Sequence, residues 1–354
     1  MMNLHNPGIA AALTAAVLFG AGTPLAKLLL LQANPWLLAA LLYLGSGLGL
    51  WLMRQWRHAP AAQLAPGEWR WLSGAIVSGG VVAPVLLMTG LAAMPAADAA
   101  LLLNAEGVFT ALLAWFVFRE NFDRRIALGM LAIVAGAVVL SWPSDNTFEF
   151  SSLWPALAVL AACGGWAVDN NLTRKVALSD ASWIAMVKGL AAGTTNLVLA
   201  VSLGVAWPGT ATVLGAGVIG FFSYGISLAL FVVALRHLGT ARTGAYFSVA
   251  PFFGALLALG LLDEPLTLRL LAGGALMAVG VVLHLTERHL HAHAHKSLDH
   301  AHEHVHGAQD PHHQHVHGEA VASGTSHTHQ HSHTPLTHTH AHFPDAHHQH
   351  AHED

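Results

Sequence analysis

Polar and apolar residues segregate into long blocks along this chain. Apolar runs fall at about residues 9–31, 36–53, 70–91, 98–118 and 125–142, then at 153–173, 181–203, 213–235, 242–262 and 267–285. About twenty residues of helix cross about 30 Å of hydrocarbon, so each run is long enough to span a membrane. Backbone amides in lipid find partners only within their own segment, so all ten runs predict helices. Past residue 285 the pattern switches to period two, with histidine at alternate positions.

The runs form two sets. Shifting the sequence by 144 positions sets Phe109, Ala111, Leu112, Leu113 and Ala114 on Phe253, Ala255, Leu256, Leu257 and Ala258. The same shift sets Glu120 on Glu264, Arg125 on Arg269, Gly129 on Gly273 and Gly136 on Gly280. A constant offset through two spans and their turn predicts a duplicated unit, residues 1–142 and 143–285, followed by a tail, 286–354. Five spans per unit is an odd number, so the second unit crosses the membrane inverted, the architecture of alternating-access transporters with a site near the midplane. The expected fold is an all-α integral membrane protein of ten transmembrane helices in two inverted repeats, with a disordered His-rich tail.

Composition agrees with this picture. Of 354 residues 54% are hydrophobic and only 10% charged, against about a quarter charged in soluble domains. The lone cysteine, Cys163, sits in an apolar run, so no disulfide framework is expected. No Lys or Arg precedes Lys27, so the first run lacks the basic flank of a signal peptide and is expected to be retained. With the N-terminus inside, cytoplasmic segments hold Arg54, Arg57, Arg70, Arg119, Arg124, Arg125, Arg174, Lys175, Arg236, Arg242, Arg288 and Lys296, and outer segments hold Arg269. The positive-inside rule therefore places both termini in the cytoplasm of a bacterial inner membrane.

Several stretches carry a family resemblance: FGAGTPLAK in the first span, NAEGVFTALLAWFVFRE in the fourth, GGWAVDNNLTRK in the sixth, and SVAPFFGALLALGLLDEPLTLRLLAGGALMAVGVVL in the last two. Together they resemble the two EamA repeats of the drug/metabolite transporter superfamily over about residues 9–285. The resemblance implies export or exchange of a small metabolite. It departs at Gly107, where the fourth-span pattern has the proline that the second repeat keeps as Pro251, so the resemblance does not carry a proline-imposed helix break to the fourth span.

Ionisable groups inside spans are expensive and usually face a cavity or a partner. Glu106 is the leading candidate for a substrate or proton site, because it lies well inside its span and its copy is Ala250. Asn104, two residues away, points elsewhere on a continuous helix and reads as interhelical glue. Lys27, near the outer end of the first span, either snorkels to the interface or pairs with Glu106 or substrate. Asp169 and Lys188 stand at comparable depths in neighbouring spans and would make each other affordable as a pair. Asn196 is a pathway candidate or further glue. Trp166 and Tyr246 could stack on substrate or simply pack. Asp98 reads as the N-cap of the fourth helix. No phosphate loop or catalytic triad appears, and no basic aromatic surface suggests nucleic acid, so neither an enzyme nor an ATP-driven pump is expected.

All histidines but His5, His58, His237 and His284 lie at or beyond His289. Pairs and triplets spaced by two, among them His291, His293, His295, His302, His304, His306, His313, His315, His317, His329, His331, His333, His340, His342, His348 and His350, suit Zn or Ni, which neutral imidazole ligates well. No cofactor is required, and metal is expected on the tail alone. The reading is a secondary-active membrane transporter, exporting a small organic metabolite that could itself chelate metal. Its partners are the bilayer, the substrate, a divalent transition metal at the tail and, in one arrangement, a second copy in a homodimer. Alternatives are a transporter of the Zn, Ni or Co cation itself, or a non-transporting metal sensor or store.

Overall fold

The structure is a computed structural model. It describes residues 7–59, 62, 64, 67–118, 124–142, 150–176, 179–238, 243, 246–285, 290–295, 298–305, 326–333 and 336–341, and only their backbone beyond Leu283. Two compact units divide the chain, Met1–Glu287 and Arg288–Asp354.

The first unit is helical throughout its described residues. The first repeat runs α1 (Pro7–Leu30), α2 (Pro35–Trp56), α3 (Trp69–Ala75), a π-helical turn (Ile76–Val82), α4 (Ala83–Ala92), α5 (Ala96–Leu102), α6 (Ala105–Phe118) and α7 (Arg124–Ser141). The second runs α8 (Phe150–Thr173), α9 (Ala181–Ser202), α10 (Thr210–Ile219), a second π-helical turn (Gly220–Ile226), α11 (Ser227–Leu238), α12 (Ala250–Leu261) and α13 (Leu268–Leu285). Helices fall at all ten expected spans. Among the described residues, six spans are long and apolar enough to cross a membrane on length and composition, with three shorter apolar helices beside them.

The two π-helical turns are also related by the 144-residue offset, Ile76 matching Gly220 and Val82 matching Ile226. Packing obeys the same symmetry. Equivalent helices pair across the repeats, α2 with α9 and α7 with α13, while α1 packs on α11 and α12 much as α8 packs on α4 and α6. Glycines let the backbones approach: a Cβ on Gly136 would stand 2.8 Å from the Gly273 carbonyl oxygen, and one on Gly280 would stand 2.6 Å from that of Gly129. Without a hydrophobic drive between helices in lipid, such close packing holds them together.

The fourth span breaks in two despite Gly107. Around residues 103–104 the amides reach three residues back, Leu103 to Ala100, Asn104 to Leu101, Glu106 to Leu103 and Gly107 to Asn104. The Asn104 side chain adds a bond from Nδ2 to the Leu101 carbonyl at 2.9 Å. That local side-chain bond competes with the α-helical ladder and replaces a proline as the cause of the break. The second repeat begins α12 at Ala250 with Pro251 in its first turn. The charged turn at 119–123 lies outside the described residues.

In the second unit the described residues form extended backbone. β1 (Leu290–His295) pairs antiparallel with β4 (Leu336–Ala341), and β2 (Leu298–Val305) pairs with β3 (Ser326–His333). The reason lies in the sequence period, since alternation in twos is the repeat of a strand. The register sets His291 opposite His340, His293 opposite His338, His300 opposite His331, His302 opposite His329, and His304 opposite His327.

Gly136→Leu should lower stability by about 1–3 kcal/mol or more through overpacking, whereas Gly209→Ala, where nothing lies within 4 Å of a new Cβ, should be near neutral. Thermal unfolding in detergent, followed by size-exclusion fluorescence, distinguishes the two.

Candidate functional site

Pro84 organises the centre of the first repeat. Proline carries no N–H, so the Gly79 carbonyl has no partner five residues on, and the Gly80 carbonyl has none four residues on. In a membrane an orphan carbonyl costs several kcal/mol, and three other helices supply the missing donors. Tyr43 Oη of α2 donates to the Gly79 carbonyl at 2.8 Å and Trp166 Nε1 of α8 donates to the same oxygen at 2.9 Å. Asn196 Nδ2 of α9 donates to the Gly80 and Val81 carbonyls at 3.2 and 3.4 Å. Asn196 is fully buried, and its Oδ1 lacks a hydrogen-bond partner.

The turn also seats an ion pair. Gly79 lies so close to the Asp169 carboxylate that any Cβ there would collide with it. Lys188 Nζ of α9 donates to both Asp169 oxygens, at 2.5 and 2.7 Å, and to Thr173 Oγ1 at 3.2 Å; Thr173 in turn donates to Asp169 at 2.7 Å. Both charged side chains are almost wholly buried, at 8% and 12% exposure. Asp169 and Lys188 thus form a closed, hydrogen-bonded pair.

Glu106 meets the residue one further along α8, Asn170. It occupies the first turn of α6, where the helix end carries partial positive charge. Its Oε1 accepts from Asn170 Nδ2 at 2.6 Å. Asn170 is exposed, Asp169 is buried and Glu106 is half-buried, so Glu106 lies at the edge of the cluster.

The structure therefore joins Trp166, Asp169, Lys188 and Asn196 around one turn, with Glu106 beside them through Asn170; sequence reasoning gave no role to Tyr43 or Asn170. Pro84 beside two glycines was the available signal. The break separates Asn104 from Glu106 differently than a continuous helix would, and Asn104 Nδ2 faces the Met277 sulfur of α13 at 3.9 Å.

Lys27 and Tyr246 belong elsewhere. Lys27 does not meet Glu106: its Nζ donates to the carbonyls of Leu91, Ala92 and Met94 at 2.6, 3.2 and 2.9 Å. A cation is favourable at those free carbonyls, which close α4 at its C-terminal end. Tyr246 packs with Leu230 against Ala11, Ala12 and Ala234. Asp98 is not an N-cap either. Glu264 takes that role, its two oxygens accepting from the amides of Ala96 and Ala97 at 2.6 and 2.8 Å, and Asp98 pairs instead with Arg269 at 3.1 Å.

Of the tail positions, His306, His313, His315, His317, His342, His348 and His350 lie outside the described residues, and His291, His293, His295, His302, His304, His329, His331, His333 and His340 have described backbone alone. Among the described residues no group of three His, Cys, Asp or Glu side chains gathers to hold a metal.

Comparison with known proteins bears on what such a site serves. The chain matches the EamA-like transporter family over residues 6–142 and 153–286. It is 28% identical over 296 residues to an uncharacterized transporter of Methanothermobacter thermautotrophicus, covering 78% of this chain and 85% of that one. It is 26% identical over 204 residues to a probable amino-acid metabolite efflux pump of Salmonella typhimurium, covering 54% and 68%. A shorter match, 35% over 89 residues, is to a probable 4-amino-4-deoxy-L-arabinose-phosphoundecaprenol flippase subunit of Pseudomonas fluorescens, covering 25% of this chain and 77% of that one. A crystal structure at 21% identity shares the fold with a TM-score of 0.60, covering 77% of this chain and 95% of that one.

Removing one member of the buried pair should be far worse than removing both. Asp169→Asn or Lys188→Met alone should cost about 3–5 kcal/mol by stranding a charge, and the double variant should recover most of it. Melting temperatures of the four proteins in one detergent give the comparison.

Proposed function

The chain belongs to the EamA-like transporter family, and on that premise we propose that it is a secondary-active exporter of a small organic metabolite, metal-chelating compounds included. Glu106 takes and releases a proton or the charged group of the cargo. The observation that carries this reading is the position of that carboxylate, on the first turn of a half-helix inside the membrane, held by the exposed Asn170. Intramembrane carboxylates so placed mark transport paths and proton relays. Two of the relatives support a metabolite as cargo, since each is described as a probable amino-acid metabolite efflux pump.

The protein is a multi-pass membrane protein. In our reading it sits in the inner membrane with both termini cytoplasmic, as the distribution of Lys and Arg favours. The tail would then hold Zn or Ni from the cytosol, a role supported by histidines spaced in twos and set opposite one another in the strand register. An organic cargo is preferred to a bare divalent cation because the spans bring no three metal-ligating side chains together among the described residues. The driving force is an ion gradient.

Proteoliposomes loaded with a labelled metabolite extract test both roles. Wild-type counterflow should vary between about pH 5.5 and 8, and Glu106→Gln should lose that variation and run at least about tenfold slower, ~1.4 kcal/mol. A chain lacking residues 289–354 should keep counterflow and lose Ni binding by calorimetry. Transport by Glu106→Gln at wild-type rates across the pH range would remove the carboxylate from the mechanism.

A further inference from the structure

Every other described carboxylate within the spans is matched to a cation. Asp169 pairs with Lys188 at 2.5 Å and Asp98 with Arg269 at 3.1 Å. Arg54, at the inner end of α2, is matched to Asp180 at 2.7 Å, and Lys27 is engaged by three backbone carbonyls. Glu106 has Asn170 as its hydrogen-bond donor and forms no ion pair among the described residues, since Lys188, the cation whose charge it feels, is held by Asp169. A charged group inside a span ordinarily pairs with an opposite charge. The end of α6 that would favour an anionic cargo already carries this carboxylate.

Next to the cluster stands a row of aromatic rings. Tyr43, whose hydroxyl is bound at Gly79, lies 5.6 Å from Tyr224 between ring centroids. Tyr224 meets Phe19 at 5.9 Å, Phe19 meets Phe247 at 5.3 Å, and Phe247 meets Phe231 at 4.8 Å. These five rings come from both repeats, and all are only partly buried. Ring faces attract cations, most strongly once water is excluded.

We propose that the cargo carries a positive charge: an organic amine whose ammonium meets Glu106 and whose body lies along the row from Tyr43 to Phe247. The proposal rests on the transporter reading above and names the substrate class of the same site. The buried pair keeps its own charges balanced, so Glu106 alone sets the sign of the cargo.

Three shape-matched probes test it: phenethylamine, 2-phenylethanol and 3-phenylpropionate, titrated by calorimetry into the purified full chain. Phenethylamine should bind most tightly. Glu106→Gln, checked for a monodisperse size-exclusion profile, should weaken it at least about thirtyfold, 2 kcal/mol by RT ln K, while leaving 2-phenylethanol unchanged. Glu106→Asp should keep part of the amine preference, which a merely structural role would not restore. Equal or tighter binding of 3-phenylpropionate, no binding of the amine, or amine binding indifferent to Glu106→Gln overturns the proposal. Counterflow in liposomes separates this from the parent reading. Transport of labelled metabolites by a protein that ignores the amine keeps the transporter and rejects the cation, whereas amine binding without any counterflow does the reverse.

Discussion

A carbonyl that no backbone amide can reach is the constraint on which the centre of this protein depends. Pro84 creates it at Gly79, and a membrane offers no water to relieve it. The answer is to bring Tyr43, Trp166 and Asn196 in from three other helices. Those side chains fix α2, α8 and α9 against the third span. In doing so they set the depth of Asp169 and Lys188, which lean on the same turn. Asn170 follows Asp169 on the helix, and so Glu106 receives its donor at a defined place. A backbone defect thus becomes the positioning device for a charged site.

Duplication supplies the frame and departures from it supply the chemistry. Both repeats contain the π-helical turn at the same offset, and glycines meet reciprocally along α7 and α13. The second repeat, however, has Leu228 where the first has Pro84, and Ala250 where the first has Glu106. No orphan carbonyl is created by proline at its turn, and no acid stands at its half-helix. A pseudo-symmetric transporter needs two similar halves in order to rock between states. Its cargo site does not need to be symmetric.

Much of this was legible in the residues. Run length gave the ten helices, and the 144-residue offset gave the repeats, because hydrophobic length and self-similarity are properties of sequence alone. The Asp169 and Lys188 pair could be anticipated from comparable depth. What sequence could not show was which outer group meets which. Of the readings the sequence leaves open for Lys27, snorkelling or pairing with Glu106 or substrate, the pairing with Glu106 closes once the α4 carbonyls are seen to surround it. Asp98 reads as a cap until Glu264 arrives from 166 positions away to take its place. The broken fourth span was hidden for a similar reason, since the residue that breaks it is Asn104, a side chain that bends its own backbone, and no proline marks it.

In the proposed transport cycle water and cargo reach Glu106 beside Asn170. A single-cysteine protein, Asn170→Cys with Cys163→Ser, tests this with a membrane-impermeant maleimide applied to sealed vesicles of known orientation. Position 170 should be labelled, at rates that differ between the two faces of the membrane. An absence of labelling from both faces, with full labelling after detergent is added, would place Asn170 and Glu106 in lipid or closed protein and contradict it.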